Sequence, residues 1–345
     1  MNSAKWTVAL AALAAFTVAV VCGGGNAADD KKDKDKDKDP KAVSVDPKLL
    51  DYKETNGVSG SIKSVGSDTM NNLMTFWGEG FKKHYPAITI EIEGKGSNTA
   101  PPALIKGTSN FGPMSRAMKK AEIDDFEKEF GYKPTGLKTA IDTLAVFVNK
   151  DNPIKELTLE QVDAIFSKNR KGGAKDDVKT WGQLGLKGEW EDKPISLYGR
   201  NSESGTYGFF KEHALFGGDY KDAVKEMVGS SSVVDSVAKD KYAVGYSGIG
   251  YKTEDVRAVP LKGVGGEKAF EANMENAYSG DYPMSRPLYL YVNYKPNANL
   301  DPLRAEFIKF VLSKEGQEIT IKDGYYPVPA KTAETALKSV GLGSK

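Results

Sequence analysis

Cysteine and histidine are almost absent from the 345 residues: there is one cysteine, Cys22, and two histidines, His84 and His213. A disulfide framework needs cysteine pairs and a structural zinc site needs about four nitrogen or sulfur ligands, so neither can be built, and any metal site would rest on carboxylates alone. Net charge is nearly absent too, with 48 Lys+Arg against 47 Asp+Glu. Such a chain has no bulk field for a nucleic-acid backbone, so no nucleic acid is expected as partner, and a charged ligand must be met by local placement of groups. The pentapeptide Gly-x-Ser-x-Gly is missing, and no cluster of Asp and His suits a two-metal phosphatase. No repeat of about 20–50 residues supports a solenoid or propeller. The chain reads as a non-enzyme that needs no cofactor.

What is present suffices for large cores, with 39% hydrophobic and 10% aromatic residues in a length that suits two domains. After Lys5, an apolar run from Trp6 to Val21 leads into the small-residue stretch Cys22 to Ala28. Shorter than the ~18 residues of a membrane span and closed by glycines, it predicts an export signal over residues 1–28. Cleavage beside Ala27 or Ala28 gives a soluble protein, whereas cleavage before Cys22 gives a lipidated amino terminus; both routes stay open. Asp29 to Lys41 alternates Asp and Lys, interrupted by Pro40. It cannot bury anything, so residues 29–56 are expected to be a charged tether, with folded chain from Gly57.

From Gly60 onward, short β-rich runs alternate with amphipathic helical patterns, which predicts a layered α/β fold. Ser61–Val65 and Ile88–Ile92 read as strands. Between them Leu73, Met74, Trp77 and Phe81 recur at helical spacing until Pro86 stops the pattern. Further helices are expected over Pro101–Ile105, Lys120–Phe130, Pro302–Ser313 and Glu315–Asp323, and apolar strands over Ala140–Asn149 and Leu288–Val292. Two long apolar strands, one leaving the first half and one returning to it, predict two lobes joined twice, with a cleft between them.

Four short polar segments carry the chemistry: Gly66-Ser67-Asp68-Thr69-Met70, Gly96-Ser97-Asn98-Thr99, Met114-Ser115-Arg116, and Arg200-Asn201-Ser202-Glu203-Ser204-Gly205-Thr206. Each is read as a passage from loop into helix. The first turn of a helix leaves N–H groups unpaired and carries partial positive charge; Ser and Thr add hydroxyl donors there, and Gly permits close approach. Taken singly each segment is an ordinary cap. The fourth differs, because Arg200 sets a planar, five-donor cation beside a helix start. Together the four predict an anion site.

On these motifs, over roughly Gly60 to Ala330, the chain resembles the periplasmic phosphate-binding proteins of ABC phosphate transporters, a family with the type II substrate-binding fold. The resemblance implies a two-lobe α/β receptor that captures inorganic phosphate and hands it to membrane permease subunits, as a monomer. It implies hydrogen-bond donation by Thr69, the Met70 amide, Ser97, Ser204, the Gly205 amide and Thr206, and charge pairing by Arg200; the hydroxyl of Ser115, in the third segment, is read as a further donor. Lobe I is expected over about Gly57–Phe147 with Leu290–Lys345, and lobe II over Val148–Tyr289. In two places the chain departs from the family. The aspartate that accepts the ligand's proton is replaced where Asn110-Phe111-Gly112-Pro113-Met114 leads to Ser115-Arg116; Asp68 is the candidate substitute, with Arg116 adding charge that offsets it. Ser202 stands where an aspartate usually orients the arginine, a task left to Glu203. A site of donors alone leaves the phosphate O–H unpaired and does not exclude sulfate. A receptor for sulfate or molybdate is therefore the main alternative, and a surface or adhesion protein the more distant one.

Overall fold

The computed structural model describes residues 43–343. The expected export signal, Cys22 and the Asp/Lys run to Lys41 lie outside them. Ordered chain begins before Gly57: Asp46 accepts from the Ala330 N–H at 2.9 Å, the Leu50 carbonyl accepts from the Lys314 N–H at 2.8 Å, and the Tyr52 ring packs edge-on against Phe310 at 5.3 Å. Leu49 and Tyr52 are apolar anchors just past the charged run, which is why residues 46–55 dock where a tether was expected.

The first lobe opens with β1 (Ser61–Val65), α1 (Asn71–His84), β2 (Thr89–Glu93), α2 (Ala100–Ile105), β3 (Phe111–Met114) and α3 (Lys120–Phe130). The apolar stripe read from the sequence is the face that α1 buries, with Leu73, Met74, Trp77 and Phe81 inaccessible to solvent. Next comes β4 (Thr135–Asn149), whose 15 residues start ahead of the expected Ala140. At ~3.3 Å per residue it spans about 50 Å, enough to serve two sheets. The second lobe follows with β5 (Leu157–Thr158), α4 (Leu159–Phe166), β6 (Ser196–Arg200), α5 (Gly205–His213), β7 (Lys225–Met227), α6 (Ser230–Lys239), β8 (Ala243–Gly248), β9 (Val256–Ala258), β10 (Leu261–Lys262) and α7 (Met274–Ser279). The chain returns on β11 (Ser285–Val292) and closes with α8 (Pro302–Val311), α9 (Lys314–Lys322) and α10 (Ala330–Ser339). Asp301 caps α8 by accepting from the Arg304 N–H at 3.0 Å, as the Asp-Pro pair predicts.

The strands run in the order β2-β1-β3-β11-β4-β8-β6-β7, with β9 also on β4. The amino-terminal part of β4 pairs with β11 as far as Thr143 opposite Ser285, and from Leu144 onward it pairs with β8. Strand pairing therefore changes hands earlier in the chain than the boundaries expected at Phe147/Val148 and Tyr289/Leu290. Each lobe has its own core: one around Trp77, Phe81, Phe111, Phe307 and Phe310, the other around Phe166, Trp181, Trp190 and Phe210. The result is a two-lobe α/β fold.

Candidate anion-binding site

In lobe I, β1 is parallel to β2 and β3; in lobe II, β6 is parallel to β7 and β8. Parallel βα units place every strand's carboxyl end, and the helix start after it, at one edge of the sheet, where α/β proteins bind ligands. The loops 66–70 after β1, 94–99 after β2, 115–119 after β3, 201–204 after β6 and 228–229 after β7 therefore gather at two sheet edges. The two edges face each other across the cleft.

Contacts between the lobes then draw the sequence-predicted residues together. Thr69 Oγ1 lies 2.8 Å from Thr206 Oγ1, and Ser97 Oγ lies 3.2 Å from Ser115 Oγ. A Cβ placed on Gly205 would collide with Ser97 Oγ and stand 2.6 Å from Ser115 Oγ, so this glycine seats the first turn of α5 directly on the two serines. Gly96, at φ +118°, allows the matching approach on the other side, where a side chain would strike the Glu203 carbonyl. Asn98 Nδ2 donates to the Ser202 carbonyl at 3.0 Å. Ser97, Ser115 and Thr206 are inaccessible, and Thr69, Arg200 and Ser204 are at most 3% exposed. Met70 buries its side chain in the lobe I core, which leaves its backbone N–H as its contribution.

Hydroxyl direction follows from fixed donors. The Ser115 N–H donates to Ser97 Oγ at 3.1 Å and the Thr206 N–H donates to the capping Ser204 Oγ at 3.1 Å. A hydroxyl that accepts from an N–H still has its own proton to give. Helix starts at α1, α5 and α6 add unpaired amides and partial positive charge.

Arg200 ends β6 with its guanidinium held on three sides. Nη1 donates to Ser230 Oγ at 2.6 Å and pairs with Asp68 Oδ2 at 3.1 Å, while Nη2 donates to the Val228 carbonyl at 2.8 Å. Burial pulls the guanidinium below its ordinary pKa and the Asp68 carboxylate pushes back. Nε is buried and unpaired, as is Ser67 Oγ in the first loop.

Three expectations change. Asp68, not Glu203, orients Arg200: its Oδ2 takes both the guanidinium and the Ser230 N–H at 2.8 Å, whereas Glu203 contributes its backbone carbonyl to the Asn98 N–H. Arg116 is not brought into the shell. It is committed to Glu122 at 2.6 and 2.8 Å, Asn98 Oδ1 at 2.5 Å and the Ala117 carbonyl at 2.9 Å, because a carboxylate in the first turn of α3 offers it a forked partner. Ser115 follows the end of β3 and not a helix start, since α3 begins only at Lys120.

Sequence reasoning missed several supports. Ser230 receives Arg200, and Tyr251 donates to the Asp68 and Thr69 carbonyls at 2.9 and 3.3 Å. The Arg286–Asp142 pair was missed as well: Asp142 is a lone charge within the apolar strand expected over Ala140–Asn149, whereas Arg286 lies ahead of the strand expected over Leu288–Val292 and joins it only because β11 starts at Ser285.

The fold and the donor shell define a two-lobed solute-binding protein. The PBP superfamily domain matches residues 52–315. The chain is 57% identical over 300 residues to the phosphate-binding protein PstS of Pseudomonas aeruginosa, covering 87% of this chain and 93% of the relative. It is 33% identical over 289 residues to PstS of Staphylococcus haemolyticus, covering 82% and 86%. Among solved structures, a phosphate ABC transporter substrate-binding protein with bound phosphate from Clostridium perfringens superposes with TM-score 0.65 at 29% identity, covering 78% of this chain and 99% of that one. The chain belongs to the PBP superfamily and, within it, to the PstS family of phosphate-binding proteins.

Proposed function

We propose that this chain captures inorganic phosphate in the cleft between its lobes and delivers it to the permease subunits of an ABC importer, acting outside the cytoplasm as a monomer. Its work is binding, not catalysis. One observation carries the reading: hydroxyls from four loops, drawn from both lobes, meet around Gly205 and Thr206 with a buried arginine beside them. A dianion stripped of water needs many charge-assisted hydrogen bonds to offset its lost hydration. Thr69, the Met70 amide, Ser97, Ser115, Ser204, the Gly205 amide, Thr206 and Arg200 supply them.

The proton of HPO₄²⁻ needs an acceptor, and Asp68 fits that role as well as orienting Arg200. Both of its protein donors go to Oδ2, which leaves Oδ1 for the ligand. An acceptor is what separates phosphate from fully ionised sulfate. Lobe I in this reading comprises residues up to Thr143 with those from Ser285 onward, and closure pivots where pairing changes hands on β4. Residues 1–28 direct export, and the mature chain is either released or lipid-anchored at Cys22.

Calorimetric titration with inorganic phosphate and with sulfate tests the assignment. Phosphate binds tightly, excess sulfate fails to displace it, and Arg200→Ala loses more than a hundredfold in affinity, since a buried charged donor is removed and Asp68 is left unpaired. Sulfate competing at similar concentration would move the assignment to another tetrahedral oxyanion. Phosphate affinity unchanged in Arg200→Ala would remove the site.

A further inference from the structure

The strand β11 reads Ser-Arg-Pro-Leu-Tyr-Leu-Tyr-Val, and its alternation sets Arg286 on the same side as Leu288 and Leu290, all three at most 2% exposed. A cation in that row is costly unless something holds it. Asp142 does: it is the direct cross-strand partner of Arg286 in the β4–β11 register, and its Oδ2 accepts from Nε at 2.9 Å and from Nη2 at 2.8 Å. Its Oδ1 accepts from the Ile249 N–H at 3.1 Å, which ties the pair to the end of β8. The same Nη2 reaches Thr206 Oγ1 at 2.9 Å, the Phe209 ring covers the guanidinium at 5.1 Å, and Nη1 is buried without a hydrogen-bond partner.

A guanidinium only donates, so Thr206 Oγ1 must accept from it, which leaves its single proton to go either to Thr69 Oγ1, 2.8 Å away, or to a bound anion. Resting on the phosphate reading above, we propose that Arg286 is a positioning residue of the ligand shell that acts through Thr206, fixing that hydroxyl as a donor to the bound oxyanion. A pair that served stability alone has no need of a charge here. Apolar residues of similar volume stabilise an interior at least as well as a buried ion pair, and they leave no unpaired Nη1. Arg286 and Asp142 also stand on the two strands that pass between the lobes. The shell is thereby attached to the element about which the lobes close.

A double-mutant cycle tests this, with inorganic phosphate as the titrant in calorimetry. Arg286→Met with Asp142→Asn removes both charges together and keeps an acceptor for the Ile249 N–H. This pair variant is expected to bind phosphate about 10- to 100-fold more weakly, the equivalent of one hydrogen bond to a charged ligand. Thr206→Val is expected to lose a similar factor, and adding it to the pair variant to cost less than about threefold more. A pair with a purely structural role would lower the melting temperature of the ligand-free chain and leave the two losses multiplicative. Multiplicative losses, or a pair variant that binds like the parent, overturn the proposal. If the pair variant does not melt cooperatively, Arg286→Lys replaces it, and its smaller loss likewise disappears in the Thr206→Val background; persistence there overturns the proposal. If the unmodified chain binds no phosphate at all, the phosphate reading itself has failed, and that result is distinguishable from a broken cycle.

Discussion

Gly205→Ala puts the closed site to a direct test, because its effects on stability and on binding have opposite signs. The position is the first residue of α5, with Ser204 as cap, and its backbone dihedrals lie outside the left-handed region. An alanine there gains helix propensity of up to ~1 kcal/mol over glycine and strains nothing locally. Across the cleft the added methyl meets Ser97 Oγ, Ser115 Oγ at 2.6 Å and Ser97 Cβ at 2.9 Å. Two reliefs exist. The serine hydroxyls can rotate aside, in which case they no longer face the anion, and each lost hydrogen bond to a charged ligand is worth about 1.5–3 kcal/mol. Alternatively the lobes can stay apart, at an overpacking cost of about 1–3 kcal/mol against closure. Either way phosphate affinity falls by at least about fivefold, and by at least ~150-fold if both serines are lost. Calorimetry gives the affinity and a thermal melt of the ligand-free protein gives the stability, which is unchanged or higher. Affinity within about twofold of the parent would mean that the two lobes do not meet at this residue when phosphate is bound, and the site as described would be wrong.

Asp68→Asn tests the acceptor. Affinity for phosphate drops, because Arg200 loses its ionic partner, and the phosphate-to-sulfate ratio drops further; a ratio equal to the parent's removes Asp68 from the discrimination step. His84 makes stability depend on pH. Its Nδ1 lies 2.7 Å from Glu54 Oε1 and its Nε2 3.0 Å from Glu315 Oε2, an arrangement that suits the imidazolium and pins residue 54 to α1 and α9. Burial pulls the His84 pKa down, but the two carboxylates outweigh it and raise it above the ordinary 6.5. A raised folded-state pKa stabilises fully below the unfolded value, and that contribution is lost as pH climbs through the folded value. Urea midpoints at pH 5.5 and 8.5 are therefore expected to differ more for the parent than for His84→Gln, by roughly 0.5–1 kcal/mol for a clasp between partly exposed groups. Equal differences would show that the clasp is not charged.

Much of this was legible before any coordinates. Helical spacing over Leu73–Phe81 predicts α1, the Asp301-Pro302 pair predicts the start of α8, and the Ser/Thr/Gly segments contain Thr69, Ser97, Ser115 and Thr206, which the fold brings together. What stayed hidden depends on register. Arg116 reads as a ligand because it shares a polar segment with Ser115, but the chain bends after β3 and Glu122 lies within its reach. Glu203 looked like the partner of Arg200 because it is close in sequence, whereas Asp68 reaches Arg200 from the opposite lobe. The early start of β4 was hidden because its first residues, Thr135, Gly136 and Lys138, are partly exposed and carry no apolar run.

Charge balance explains why so neutral a chain can hold an anion. Each buried arginine near the cleft brings its own carboxylate, Arg200 with Asp68 and Arg286 with Asp142, so the paired side chains sum to no net charge before phosphate arrives. In the proposed site the ligand's charge is met by dipoles: amides at the starts of α1 and α5, and hydroxyls that accept from other donors of the protein. Dipoles of this kind are short-ranged and must already point at the ligand, which demands rigid placement from both sides. Two sheets turned edge to edge provide that placement, with each arginine wired to a residue across the cleft or across the strands that join the lobes. A single lobe presents only half the donors, and its arginine or its carboxylate stands unpaired. Bringing the lobes together therefore completes the Arg200–Asp68 pair, while the Arg286–Asp142 pair is held within the strands of one lobe.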